Sequence, residues 1–159
     1  MSEQKITPCL WFDFNAEEAV AHYLAIFKDG RVVSTTRYGD AGPGPKGAVM
    51  TIAFEIEGQR FLALNGGAHF QFTPAISLII DCATQAEVDR LWEALSDGGK
   101  PGQCGWLADK FGVSWQIVPS LVPKAMQSGD AEAIERVMRA VLPMKKLDIA
   151  KLQQAFAAE

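Results

Sequence analysis

The chain predicts an α+β fold: two βαβββ modules forming a cupped mixed sheet, followed by a helical extension. Three observations carry this. One stretch of strand-then-helix pattern occurs twice, each copy is followed by further alternating segments, and the pattern turns wholly helical after Pro119.

The repeat is "PCLWFDFNAEEAVAHYLAIFKDG" from Pro8 laid over "ISLIIDCATQAEVDRLWEALSDG" from Ile76. Leu10 falls on Leu78, Phe12 on Ile80, Asp13 on Asp81, Val20 on Val88, Phe27 on Leu95, and Asp29-Gly30 on Asp97-Gly98. Both helices are predicted to open with a capping box, Asn15 with Glu18 and Thr84 with Glu87, in which a side-chain oxygen takes a free backbone N–H and the Glu reaches back. Their apolar stripes follow the helical period: Val20, Tyr23, Leu24 and Phe27, then Val88, Leu91, Trp92 and Leu95. The Asp-Gly pairs end them.

Extended segments follow. "RVVSTTRY", "AVMTIAFEIEG" and "QRFLALN" complete the first module, with the loop "GDAGPGPKG" after the first of them and a tight turn at Glu57-Gly58. In the second module "QCGWLAD" and "GVSWQIVP" flank a turn at Lys110–Gly112, and only "GGKPG" is left for the preceding strand, which must be short. The modules are placed at about residues 5–67 and 75–119, sharing one cup over 1–119. In the extension, 120–159, Asp130 and Asp148 are the expected caps of two helices. Each carries one apolar face that must dock on the sheet's back or on a second subunit.

The totals narrow the function classes. With 48% hydrophobic and 21% charged residues the composition is that of a globular domain. A net charge of −4 supplies no basic field for nucleic acid or an anionic membrane. The longest apolar run, "ISLIIDC", is too short to span a bilayer, and "MSEQKITPCLWF" does not read as a signal peptide. Cys9, Cys82 and Cys104 form no CxxC pair and leave an odd thiol, so a reducing, cytoplasmic setting is expected.

The paired modules, with "FDFNAEEAVAHYLAIF" opening the first and "DKFGVSWQIVP" closing the second, resemble the vicinal-oxygen-chelate superfamily of glyoxalases, extradiol dioxygenases and bleomycin-resistance proteins. Within it the chain is similar to the PhnB-like branch, often labelled a 3-demethylubiquinone 3-methyltransferase domain. The similarity lies in "LNGG" at 64–67, "LWEALSDGGK" at 91–100, "CGWLADKFGVSWQI" at 104–117 and "MKKLDIAKLQQAF" at 144–156. The resemblance implies a glyoxalase/bleomycin-resistance fold, a small-molecule cup and a homodimer, with no particular reaction.

It also implies where a divalent ion would be held in the superfamily's enzymes, on the first and last strands of each module. Gln116 stands where the last glutamate ligand belongs. Pro8 or Cys9, Leu64 or Asn65, and Ala75 or Ile76 stand at the others. An amide oxygen without charge is a poor anchor for a divalent cation, so no metal and no cofactor are expected, a site of Cys9, His69 and Gln116 being the exception to test.

Period-two alternation then proposes the pocket. Cys9, Trp11 and Asp13 are set against the apolar Leu10, Phe12 and Phe14, and Ser114 and Gln116 against Trp115 and Ile117. Asn65 closes the first module's last strand beside Gly66-Gly67, and His69 and Phe70 follow at the rim. With Cys104 and Trp106 these make an aromatic wall with a few polar anchors: Cys9, Trp11, Asp13, Asn65, His69, Phe70, Cys104, Trp106, Ser114 and Gln116. Each has a plain structural alternative. The tryptophans can fill the space between sheet and helix, Asp13 can cap or pair, and an isolated thiol is more often a small buried hydrophobe. Asp109 reads as a turn residue and His22 as a solvated one.

Neither glycine-rich stretch runs from a parallel strand into a helix, which is what a nucleotide-type methyl donor needs, so the methyltransferase label is not favoured. The expectation is a cup that binds a small aromatic or amphipathic molecule. The alternatives are an enzyme of lyase, isomerase or oxygenase type working through Asp13, His69 or a cysteine, and a dimerisation or partner-binding module.

Overall fold

The computed structural model describes residues 4–158. The chain runs β1 (Cys9–Phe12), α1 (Ala16–Ile26), β2 (Gly30–Arg37), β3 (Val49–Ile56), β4 (Gln59–Asn65), then β5 (Leu78–Cys82), α2 (Gln85–Ser96), β6 (Lys100–Pro101), β7 (Trp106–Ala108) and β8 (Ser114–Pro119). The helices α3 (Leu121–Met126), α4 (Ala131–Val141) and α5 (Ile149–Ala157) close it. It divides into two compact units at the Phe72–Thr73 junction. Each holds one βαβββ module with a four-stranded mixed sheet, in the orders β1-β4-β3-β2 and β5-β8-β7-β6.

In the first unit β1 lies parallel to β4, and the other neighbours are antiparallel. One face of this sheet is covered by α1, whose Ala16, Ala19, Val20, Tyr23 and Ile26 are buried against it. Tyr23, Phe54 and Phe61 stack in series there, with ring centroids 6.3 and 5.4 Å apart. Glu57 and Gly58 both adopt positive φ, 48° and 77°, the backbone that joins two twisted strands in a two-residue hairpin. The Gly-Pro loop after β2 wraps Tyr38, whose hydroxyl donates to the Asn65 carbonyl. A Cβ on either Gly42 or Gly44 would stand 2.4 Å from the Tyr38 ring, which is why small residues line that loop.

The two helix starts differ from expectation in one respect. Thr84 accepts from the Glu87 amide, as a capping box requires, and the Glu87 carboxylate accepts from the Ala83 amide, one residue before the cap. Asn15, by contrast, makes no side-chain cap bond. The free amide at Ala16 is taken by the Asn65 side-chain oxygen at 3.0 Å, from the end of β4. A cap on a neighbouring strand serves the same purpose and leaves no local sequence signal.

In the second unit β5 is parallel to β8, and β6 has two residues, as the short "GGKPG" requires. One face carries α2 through Val88, Leu91 and Leu95, packed on Trp115 and Ile117 of the sheet. The β7–β8 hairpin is organised by Asp109, only 3% exposed. One carboxylate oxygen accepts from the amides of Phe111 and Val113, and the other from the Trp115 indole at 2.9 Å. Asp109 is a turn residue, but one buried at the heart of its turn.

The helices α3, α4 and α5 share a small core of Ala125, Val137, Val141, Leu147 and Leu152. Asp130 and Asp148 cap α4 and α5 as expected. This extension docks on its own module. The amides of Cys104 and Gly105 donate to the carbonyls of Met144 and Lys145 at 2.7 and 2.8 Å, like a short added strand. At the start of α2 the Gln85 side chain bonds both the Leu147 carbonyl and the Ile149 amide, and Lys146 pairs with Asp89 at 2.7 Å. Gly105 has φ +82°, and a Cβ there would meet the Ile117 carbonyl at 2.8 Å and the Leu147 side chain at 3.1 Å. Only glycine lets strand and extension approach this closely.

Candidate functional site

Each sheet has one face covered by its helix and one open face, and strand register decides which side chains reach the open one. In a β-ladder, residues paired across two strands share a face. In the first unit Cys9 pairs with Leu62 and Trp11 with Leu64, so these four share the open face. Phe12 pairs with Asn65. That puts Asn65 on the face with α1, 1% exposed, and corrects its expected place in the pocket. Its side chain accepts from Ala16 and donates to Val49 and Glu17, so every polar atom of the amide has a protein partner. The physical reason is parity: Asn65 is one residue past Leu64, and one residue reverses the face.

Trp11 lies on the open face under firm restraint. Its indole donates to the Gly67 carbonyl at 2.8 Å, and Phe70 meets it edge-on with centroids 4.9 Å apart. A Cβ on Gly66 would stand 2.3 Å from the Trp11 ring. "LNGG" is thus a seat for an indole. Asp13 lies beyond the end of β1 and is exposed, as are His69 and Phe70 in the loop after β4. Cys9 is exposed at the start of β1, and partial desolvation raises its thiol pKa, away from a thiolate. His22 is half-buried on α1 rather than solvated.

In the second unit the open face carries Ile79 and Asp81 of β5, Trp106 and Ala108 of β7, and Ser114, Gln116 and Val118 of β8. Ser114 shares this face but is 5% exposed. Cys104, Trp106 and Gln116 come together, lining one groove of about 550 Å³. That volume falls within the range of small-molecule sites. Cys104 has φ +59°, and its thiol donates to the Leu142 carbonyl at 3.6 Å. The Gln116 amide donates to Ser77 at 2.8 Å, which directs its oxygen elsewhere. No described residue accepts from the Trp106 indole, in contrast with Trp11.

The remaining walls were not in the expected set. Ile79, Asp81 and Val118 come from the sheet, and their alternation in "LIIDC" and "WQIVP" made the face legible in principle. Val122, Lys124, Met138, Val141 and Leu147 come from the extension, which completes the lining. No pattern in the sequence tied those helices to this face. A larger surface depression, about 880 Å³, lies between α2 and the extension. Its Gln85, Asp89 and Lys146 are the groups that fasten the two together, so it reads as a docking seam.

The donor set suits a resident divalent ion poorly. In the first unit the last strand offers Leu64 toward the open face, Asn65 is engaged in capping, and Cys9 favours its protonated form. In the second unit the corresponding groups are Ile76 and the neutral Gln116. Among the described residues no three His, Cys, Asp or Glu side chains gather in metal-binding range. No helix of the described residues is long and apolar enough to cross a membrane.

Comparison with known proteins places this architecture. The profile of the 3-demethylubiquinone-9 3-methyltransferase family matches residues 4–118. A putative 3-demethylubiquinone-9 3-methyltransferase, PhnB protein, from Bacillus cereus is 38% identical, with a TM-score of 0.65 over 73% of this chain and 99% of its own. Protein PA1353 from Pseudomonas aeruginosa is 22% identical over 74% of this chain and 98% of its own, with a TM-score of 0.61. A glyoxylase/bleomycin resistance protein/dioxygenase domain from Frankia sp. EAN1pec is 12% identical over 74% of this chain and 93% of its own, with a TM-score of 0.45. No curated protein matches. The first two solved structures thus use nearly all of their own length while leaving over a quarter of this chain uncovered, and the family match stops at the last strand, before the extension. With 4–118 matched and the paired βαβββ modules in place, the chain belongs to the PhnB-like 3-demethylubiquinone-9 3-methyltransferase domain family, in the glyoxalase/bleomycin-resistance fold.

Proposed function

We propose that this protein binds a small aromatic or amphipathic molecule in the groove of its second unit, and that it does so without a resident metal and without transforming its guest. The supporting observation is the groove itself. Ile79, Trp106, Val118, Val122, Met138 and Val141 give it apolar walls, and a few polar groups stand among them, the Gln116 amide oxygen and the Trp106 indole N–H foremost. That is the composition of a recognition site. Two of the three thiols are not primed as nucleophiles: burial pushes Cys82 up to about 12, with the Glu87 and Asp81 charges adding to it, and Cys9 is raised as well.

Methyl transfer, named in the family's description, receives no support from the backbone. Gly66-Gly67 leads into the loop before β5, and the glycines of 39–47 link β2 to β3. Neither opens a helix after a parallel strand, where a nucleotide-type donor is usually cradled. We also propose a homodimer in a reducing, cytoplasmic setting. β2 is exposed along its whole length, with Val32 and Val33 among its residues, and is an edge that a second copy would cover.

The groove is tested with the dye 8-anilinonaphthalene-1-sulfonate. Saturable fluorescence enhancement is expected for the wild type. It should be lost in Val118→Trp, which fills the groove from an open strand face, with thermal unfolding of that variant little changed. Unaltered dye binding by V118W overturns the proposal.

A further inference from the structure

The groove has two charges that the protein itself leaves uncompensated. Asp81 stands on the open face of β5 and Lys124 on α3, both exposed and both lining the groove. Neither forms an ion pair or a side-chain hydrogen bond among the described residues, whereas Asp89, Asp148, Glu55 and Glu135 all find a basic partner. Nor do the two pair with each other, so more than 4.0 Å separates their charged atoms. The same lining holds apolar side chains and the two unfilled hydrogen-bonding groups of Trp106 and Gln116.

We infer that the groove takes a small zwitterion with an apolar body: an ammonium toward Asp81, a carboxylate toward Lys124, and an aromatic or aliphatic part against Trp106, Val122 and Met138. A simple anion would leave Asp81 facing like charge, and a simple cation would do the same to Lys124. Only a molecule carrying both charges satisfies both groups at once. Lys124 and Met138 belong to the extension, which lies beyond the family match ending at residue 118. The selectivity is therefore a property of this chain's added helices, with the shared module supplying the floor.

The inference rests on the groove being the binding site, and the test separates the two. Three probes share a phenyl group and differ in charge: L-phenylalanine, 3-phenylpropionate and 2-phenylethylamine. Binding to the full-length protein is followed by calorimetry and by displacement of the dye. Phenylalanine should bind at least about fivefold more tightly than either one-charge analogue, the scale of a single partly exposed ion pair. Lys124→Met should bring phenylalanine down to the level of phenylethylamine, and Asp81→Asn to that of phenylpropionate, while dye binding stays saturable in both variants, weaker in K124M and tighter in D81N because the dye is an anion. Equal binding of all three probes overturns the zwitterion inference and leaves the groove standing. No binding of any probe, with dye binding intact, also overturns it. Loss of saturable dye binding in the wild type removes the groove reading itself.

Discussion

The two modules solve the same problems by opposite routes. In the first, the start of α1 has no cap of its own and borrows the Asn65 amide from β4. In the second, α2 is capped by Thr84 with Glu87 alongside, and the position equivalent to Asn65 is Ile117, fully buried. The equivalence follows from the ladders: Phe12 pairs with Asn65 as Ile80 pairs with Ile117. The open faces diverge likewise. Trp11 is held down by Gly66, Gly67 and Phe70, all from its own unit's next loop, while Trp106 keeps a free indole N–H in a groove walled by the extension. One module has put its tryptophan to structural use and the other has left it available. Duplicated topology therefore does not carry duplicated roles.

The largest effect is expected where the first module is least forgiving. Gly66→Ala would drive a Cβ to within 2.3 Å of the Trp11 ring, and overpacking of that kind costs about 3 kcal/mol. Chemical denaturation measures it, and Trp11→Leu in the same chain should recover most of the loss if the clash is with the indole. A G66A variant as stable as wild type would remove the restraint that separates the two tryptophans.

Asn65→Leu comes next. It makes the first module resemble the second at this position without giving α1 a cap of its own. The Ala16 amide and the Val49 carbonyl lose a partner in a buried setting, for a cost of about 2 kcal/mol. Little change in the denaturation midpoint would mean that Asn15 can assume the role after all.

These two residues also show what the sequence could and could not disclose. The duplicated strand–helix unit, the two-residue turn at Glu57-Gly58, the brief β6 and the caps at Thr84, Asp130 and Asp148 were all legible, because each is written in neighbouring residues. The pairing of Trp106 with Gln116 was legible too, since period two within a hairpin fixes faces, whereas Cys104 lies in the turn before the strand. Asn65 was misplaced because the end of a strand gives no hint of where parity starts; the register with β1 decides it, and that is a contact across 53 residues of chain (65 − 12). Lys124, Met138 and Val141 were invisible because tertiary docking alone brings them to the groove. An amphipathic helix announces that it must dock, and its pattern does not say where.

Thr84→Ala probes the second module's self-sufficiency. A lost N-cap bond costs about 1 kcal/mol, smaller than the Asn65 change because the Glu87 carboxylate still accepts from Ala83 and because the site is exposed to water. If T84A proves more damaging than N65L, the ranking of local over borrowed caps is reversed.

The smallest effect concerns the seam that ties the extension to its module, and it is resolved by pH. The Lys146 ammonium, hydrogen-bonded to Asp89, and then the Gln85 amide hold the Asp89 carboxyl below its usual range. A carboxyl whose folded pKa is lowered stabilises the protein above its unfolded value, and that contribution is lost as pH falls through the folded one. Both partners are surface groups, so the contribution is small and weakens with salt. Wild type and Lys146→Met should therefore differ slightly in melting temperature at pH 7 and converge below about pH 4, near the ordinary carboxylate value. The two neutral Gln85 bonds, to Leu147 and Ile149, hold the extension at every pH. Hydrogen exchange at the Cys104 and Gly105 amides, which pair with Met144 and Lys145, distinguishes a pinned extension from a swinging one. Protection that persists in K146M at acid pH means the groove keeps its second wall without the ion pair. Protection that collapses there would make the ion pair, and not the backbone pairing, the fastener on which the second module's difference from the first depends.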